Sequence, residues 1–426
     1  VADAAQRRQD HWLKRGVIYE VFVREFSTSG RLTAVERRLP ELQRLGVTTL
    51  WLMPLQPVGR TRRKGQQGSP YAVRDHRALD PAYGRPADLR RLVRRAHGLG
   101  LRVILDWVAG HTAWDHPWVR RHPGWYRKDH KGQIRPPRKA WWDVARLDLR
   151  SPRLTRALVD AMLHWVRAYG VDGFRCDAAW SVPPAHWLQV RRALSAERPD
   201  IGLLAEADRP RLMQDAFQLT YDYPWYFALR RALRGAALEE IWQRHRAFGR
   251  RYPPGAQRML FIDNHDQRRC VAQFGEPASL ALAVLLLTSE GVPLIYNGQE
   301  IGDRAPSRAP ALFRRHPIDW DHPRPGFLSH YRRLIRIRRR HAALSRGETR
   351  PLGRGGRVLR FLRRHGRRQV LVAVNLSPEP RSVRIRSRRF QPAGQLLSHG
   401  GLRAGTRLRA GDSRVALDGW GWLVCR

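Results

Sequence analysis

Short apolar runs alternate along the chain with longer stretches whose apolar positions return every three or four residues. A run of four to seven β-branched or aromatic residues reads as a buried strand, and the three-to-four spacing reads as a helix with one apolar face. On that pattern strands are expected at 17–23, 47–52, 101–105, 171–175, 201–205, 219–223, 259–262 and 294–296. Helices are expected at 34–45, 88–99, 152–169, 184–197, 224–248, 277–289 and 327–341. Strands that alternate with helices imply a parallel sheet. Eight such units suit closure into a (β/α)8 TIM barrel. An open doubly wound sheet is the competitor, but no GxGxxG or GxxxxGK[ST] stretch follows the first strand.

Two departures from the rhythm divide the chain. Residues 107–151 form a connection too long to be an ordinary loop, which predicts a short insertion subdomain after the third strand. Beyond 347 the apolar runs shorten and are separated by Gly and Pro turns, as in a small antiparallel β domain. The expected organisation is therefore a barrel over 1–106 and 152–346, an insertion over 107–151, and a C-terminal β domain over 347–426. The most apolar stretch, 278–296, is interrupted by Glu290, Gly291 and Pro293, so it predicts a buried helix and strand and no transmembrane segment.

Composition changes this picture in one respect. The chain carries 80 Lys+Arg against 37 Asp+Glu, a formal net charge of +43, and nearly all of that excess is arginine. Clustered arginine suits polyphosphate surfaces. Here, however, the arginines run from Arg7 to Arg426 with no RNP, zinc-finger or zipper pattern, so no specific nucleic-acid partner is expected. The charge reads as a solvated outer surface suited to contact with an anionic cell envelope. Cys176, Cys270 and Cys425 are odd in number and far apart, which signals neither a disulfide framework nor a zinc site. A chain that begins at Val1 is expected to be trimmed, and an exported enzyme is favoured over a cytoplasmic one.

In a barrel the reactive groups belong at the C-terminal ends of the strands. Those ends carry Asp106 and His111, Arg175 and Asp177, Glu206, and then Asp263, His265 and Asp266. One acid at a strand end is commonly a cap; several at successive ends point to chemistry. Paired carboxyl groups are what glycoside hydrolysis requires, one to attack the anomeric carbon and one to protonate the departing oxygen. Arg175 lies two residues before Asp177, on the same side of the strand, and is expected to keep Asp177 ionised at neutral pH.

These stretches, in this order, resemble the α-amylase family of glycoside hydrolases (family 13). The family's Asp-x-x-x-Asn-His is matched at 106–111, its Gly-Phe-Arg-x-Asp at 173–177, its strand-ending Glu at Glu206, and its Phe-x-x-Asn-His-Asp at 261–266. Further matches lie at 69–75, 80–84 and 291–300. The resemblance implies a retaining enzyme that cleaves α-1,4-glucosidic bonds of starch or maltodextrins by double displacement. Within it, Asp177 is the nucleophile, Glu206 the general acid/base, and Asp266 the transition-state stabiliser. His111 and His265 bind hydroxyls of the sugar before the scissile bond, and Tyr71 stacks on that ring.

An α-glucosidase or α-glucan transglycosylase on the same scaffold is the alternative, followed by a catalytically silent glucan-binding protein. Family calcium is held partly by the Asn that Gly110 replaces here, so no metal or other cofactor is expected. Trp180 and Ser181 stand where many members carry Lys-His on the leaving-group side, which leaves that side unassigned. The insertion holds six of the sixteen tryptophans, Trp107, Trp114, Trp118, Trp125, Trp141 and Trp142; most are expected to pack and one or two to touch substrate. His116, His122 and His130 lack closed-site metal spacing and read as loop histidines. Asp75 and Asp106 are expected to orient their neighbours.

Overall fold

The computed structural model describes residues 11–353, 355–387, 390, 394–398, 406, 408–409 and 411–426; Val1 and Arg7 lie outside them. Eight parallel strands close into a barrel: β1 (Ile18–Val21), β2 (Thr49–Leu52), β3 (Arg102–Val108), β4 (Gly173–Asp177), β5 (Gly202–Ala205), β6 (Leu219–Tyr221), β7 (Gln257–Leu260) and β8 (Val292–Tyr296). Each pairs with the next, and β8 pairs back onto β1 with Ile18 beside Leu294.

The helices form where the sequence supplies starts and stops. In Pro152–Tyr169, Ser151 accepts a hydrogen bond from the Leu154 N–H, Pro152 fills the first helical position, and Gly170 ends the helix at φ +71°. Helix Glu276–Thr288 is buried on nearly every side, which explains its lack of a polar face. Among the described residues no helix is long and apolar enough to cross a membrane.

Two expectations need correction. The first strand ends at Val21, because the Phe22 N–H donates to Asn297 Oδ1 and Val23 opens a short helix. The helix expected over 224–248 is two helices, Tyr223–Leu233 and Glu239–Arg251, parted at Gly235, whose φ of +105° favours glycine. The connection from β5 to β6 carries a single helical turn, Leu212–Asp215.

Residues after β3 make the excursion. A two-stranded ribbon pairs His111 with Arg146 and Ala113 with Val144, followed out by the short helix Pro117–Arg121. At the other end of the chain lies a five-stranded antiparallel sheet with a separate two-stranded ribbon beside it. Along its strand Arg368–Asn375, Val370, Val372 and Val374 join the barrel's core, while Leu371 and Ala373 pack against Ile385 and Val415 of the ribbon. Strict alternation thus gives this strand two buried faces.

Candidate active site

The side chains that end β3, β4 and β5 meet because those strands are neighbours. Arg175 on β4 sits at their centre, wholly buried. Its Nη1 lies 2.8 Å from Asp106 Oδ1 and 3.0 Å from Asp177 Oδ1, and its Nη2 lies 2.8 Å from Glu206 Oε2. Nε donates to the Tyr221 hydroxyl at 3.2 Å. The guanidinium lies over Trp51, 5.0 Å from the ring centroid, so an aromatic wall replaces water around it. One cation is therefore shared by three carboxylates.

Each carboxylate has its own further partners. Glu206 Oε2 accepts from the Ala178 N–H at 2.7 Å and Oε1 accepts from the Tyr223 hydroxyl at 3.0 Å. Asp106 Oδ2 accepts from Trp51 Nε1 at 3.2 Å and from the Tyr71 hydroxyl at 3.1 Å. Tyr71 oxygen is in turn 2.7 Å from His265 Nε2, which also lies 3.3 Å from Asp266 Oδ2. The other ring nitrogen of His265 contacts Glu20 Oε1, on β1, which is wholly buried.

Burial and charge separate the proton affinities. Burial pushes Asp177 up to about 6; Arg175 opposes the rise, and Asp106 and Asp266 add to it. Desolvation outweighs the guanidinium, yet a proton affinity of about 6 leaves Asp177 mostly ionised at neutral pH. Glu206 is likewise raised by burial, against the pull of Arg175 and with the push of Asp177 and Asp266. His265 goes the opposite way from an ordinary buried histidine. Burial alone would lower it, but Asp266 and Glu20 together raise it well above its usual value and make it an imidazolium. For Asp266 burial opposes ionisation, and the His265 charge prevails and lowers it. His111, buried in the ribbon beside Trp141, is pushed down to about 4 by burial and stays neutral.

All seven residues expected at the site, Tyr71, His111, Arg175, Asp177, Glu206, His265 and Asp266, lie at the C-terminal ends of β3, β4, β5 and β7 or on the loop and ribbon beside them. Sequence reasoning missed Glu20, Tyr221 and Tyr223. For Glu20 the signal was present: a lone carboxylate in an otherwise apolar strand needs a buried cationic partner. Asp75 only turns its own loop, accepting from the Arg77 N–H at 2.8 Å. His116 pairs with His76, which stacks on Trp118, and burial holds both histidines far below their usual value; His122 stacks on Trp125. Trp107 is buried and Trp114, Trp118 and Trp125 pack on the core, whereas Trp142 is 47% exposed.

Two observations bear on the calcium that the family resemblance raised. Position 110 has no side-chain oxygen, and the buried excursion carboxylate Asp143 is neutralised by Lys64, whose Nζ lies 2.6 Å from Oδ1 and donates to Ala140 O at 2.7 Å. Among the described residues no group of three or more His, Cys, Asp or Glu is placed to hold a metal.

Residues 9–220 and 233–321 match the family described as the α-amylase catalytic domain, which spans most of the barrel and all of the strand ends above. The chain belongs to the α-amylase family. It is 29% identical to α-amylase MalA of Haloarcula japonica over 97% of this chain and 61% of the relative. It is 30% identical to an α-1,4-glucan:maltose-1-phosphate maltosyltransferase of Myxococcus xanthus over 88% of this chain and 60% of the relative. The chain thus spans about three fifths of these two relatives' length. Among solved structures, a maltogenic α-amylase, AmyB from Thermotoga neapolitana, superposes with a TM-score of 0.85 at 31% identity, covering 96% of this chain and 97% of that one. Membership accounts for the closed barrel with its added C-terminal antiparallel sheet.

Proposed function

We propose that this α-amylase-family chain is a retaining glycoside hydrolase that cleaves α-1,4-glucosidic bonds of starch or maltodextrins. The observation that carries the reading is the division of labour around Arg175. Asp177 and Glu206 share its two amino groups, yet only Glu206 has a backbone N–H and a tyrosine hydroxyl holding its two oxygens in place.

Asp177 attacks the anomeric carbon as a carboxylate while Glu206, protonated, gives its proton to the departing oxygen. The glucosyl–Asp177 ester is then opened by water, from which Glu206 takes a proton back. Asp266, ionised beside the His265 imidazolium, accepts hydrogen bonds from sugar hydroxyls and offsets positive charge at the anomeric centre. His111 and Tyr71 complete the sugar's pocket.

The raised carboxyls set a pH dependence. Asp177 must be ionised, and with its proton affinity at about 6 its charge is lost as the pH falls through that value. Glu206 must be protonated, so activity falls on the alkaline side as its proton leaves. The expected kcat/KM profile on maltoheptaose is a bell whose acid limb lies near 6; a limb near 4 would contradict the assignment of Asp177.

Similarity to a maltosyltransferase as well as to amylases supports transfer to a second sugar as the alternative fate of the ester. A time course of products from maltoheptaose separates the two. Hydrolysis gives only shorter chains, and transfer gives chains longer than seven units before they shorten. Cleavage of maltose to glucose without action on long chains would identify an α-glucosidase. Because Lys64 occupies Asp143, chelation is expected to leave the melting temperature and starch activity unchanged. A large drop in either after EDTA, restored by calcium, would reveal a ligand set elsewhere in the chain.

A further inference from the structure

A cavity of about 250 Å³ opens beside His111, between the excursion and the turn that follows β4. Its position relative to the chemistry is set by Ala178. The N–H of that residue binds Glu206, and its carbonyl accepts from Ser181 Oγ at 2.8 Å. Ser181 and Trp180 wall the cavity, so it begins on the flank of the carboxyl group assigned to protonate the leaving oxygen. The cavity therefore lies on the side of Glu206 where Trp180 and Ser181 stand.

The walls carry four guanidinium groups, Arg127, Arg138, Arg146 and Arg150, against one carboxylate, Asp148. Asp148 is already engaged twice, by Arg150 at 2.7 Å and Arg127 at 3.3 Å. Arg138 and Arg146 make no side-chain hydrogen bond or ion pair among the described residues. Arg138 instead lies over two rings, 4.6 Å from the Trp180 centroid and 5.3 Å from that of Trp141. Arg146 is part-buried, and burial together with Arg135 and Arg127 lowers its proton affinity, with only Asp148, already held by Arg150 and Arg127, pulling the other way.

This differs from the chain's general basicity. Buried arginines elsewhere have acceptors: Arg258 pairs with Asp222, Arg198 with Asp172, and Arg338 and Arg363 donate to backbone carbonyls of Leu287 and Thr288. A neutral glucan hydroxyl gives such a cluster little. A phosphate dianion takes two forks at once through bidentate contacts and removes their mutual repulsion.

We infer that this cavity is a phosphate subsite on the leaving-group side, and that the enzyme prefers α-glucans bearing a phosphate ester there. The inference rests on the hydrolase reading above. The phosphate takes no part in bond making; it binds the leaving segment.

The test compares maltopentaose with maltopentaose carrying a 6-phosphate on its reducing-end glucose. The phosphorylated substrate is expected to show at least about ten-fold higher kcat/KM, the size of one charge-assisted contact pair. An Arg138→Met/Arg146→Met variant is expected to bring the ratio to about one, and Arg138→Lys, which keeps the charge without the fork, to an intermediate value. Free phosphate is the other source of the same chemistry. If inorganic phosphate alters the KM of neutral maltopentaose while the ester gives no gain, the subsite stands and serves the free ion.

The subsite is overturned if neither arm responds. It is also overturned if the gain survives the double variant, or if a phosphate on the non-reducing end gives the same gain, since that is steering by the whole +43 surface. Failure to cleave either glucan would sink the hydrolase reading instead. Calorimetric titration with inorganic phosphate, wild type against the double variant, reads the subsite in that case too, and equal or absent heats overturn it.

Discussion

Glu206→Gln is expected to lower kcat/KM on maltoheptaose by about 10³- to 10⁴-fold, the range for losing a general acid that works in both half-reactions. The fold should hold. Gln keeps one oxygen for the Ala178 N–H and an amide that can donate to the Tyr223 oxygen, and Arg175 retains Asp106 and Asp177. The informative substrate is maltosyl fluoride, whose fluoride leaves without a proton. It should restore the first half-reaction in Glu206→Gln, and added azide, which needs no base, should restore the second. Asp177→Asn is expected to lose at least as much, and neither fluoride nor azide should rescue it, because the attacking oxygen itself is gone. Equal behaviour of the two variants on the fluoride would show that the roles of Asp177 and Glu206 are wrongly divided.

The second large effect is expected at a residue that touches no substrate. Glu20→Gln keeps an oxygen to accept from His265 Nδ1 and removes the charge. The groups facing His265 are Glu20 from β1, Asp266 beside it, Tyr71 from the loop after β2, Asp106 from β3 and the edge of Trp51 from β2. With Glu20 neutralised, burial acts against fewer opposing charges, so the imidazolium gives up its proton at lower pH. Asp266 then loses the cation that keeps it ionised.

Wild-type activity should persist on the alkaline side until Glu206 loses its proton, whereas the variant should fail earlier, as His265 deprotonates. On the acid side Asp177 still limits both enzymes near 6. A bell narrowed from its alkaline side is expected, with a peak lowered about 10- to 100-fold, the cost of one charge-assisted hydrogen bond. A uniform loss with an unchanged profile would mean that Glu20 serves packing alone. A direct check is the ring nitrogen resonance of His265, which should report imidazolium at pH 7 in the wild type and a neutral ring in the variant.

The carboxylates were legible in the sequence because their positions are local facts. A barrel strand points its C-terminal end at the site, so Asp106, Asp177, Glu206 and Asp266 are placed once the strands are. What each carboxylate meets there is a matter of strand neighbours, and it was less legible. Arg175 reads from the sequence as the partner of Asp177, two residues away, but β3 and β5 flank β4 and bring Asp106 and Glu206 to the same cation. At Asp177 the charge of Asp106, brought to the same place, adds to burial against the pull of Arg175. Glu20 and His265 are 245 residues apart and meet only because β1 lies near the barrel's seam with β7 and β8. The helix break at Gly235 escaped notice because apolar spacing continues through it, and only the glycine's positive φ marks the stop.

The tie between Lys64 and the excursion bears on how this enzyme can be watched at work. The chain's only lysines are Lys14, Lys64, Lys128, Lys131 and Lys139. Three of them lie on the excursion itself, and Lys64 reaches across to Ala140 and Asp143. Amine-directed labelling or a lysine-specific protease, which would blur over the whole surface of a lysine-rich relative, here addresses the excursion and Lys64 almost alone. Arginine's dominance of the charge thus leaves Lys64 as a natural reporter: its resistance to acylation reads the contact with Asp143.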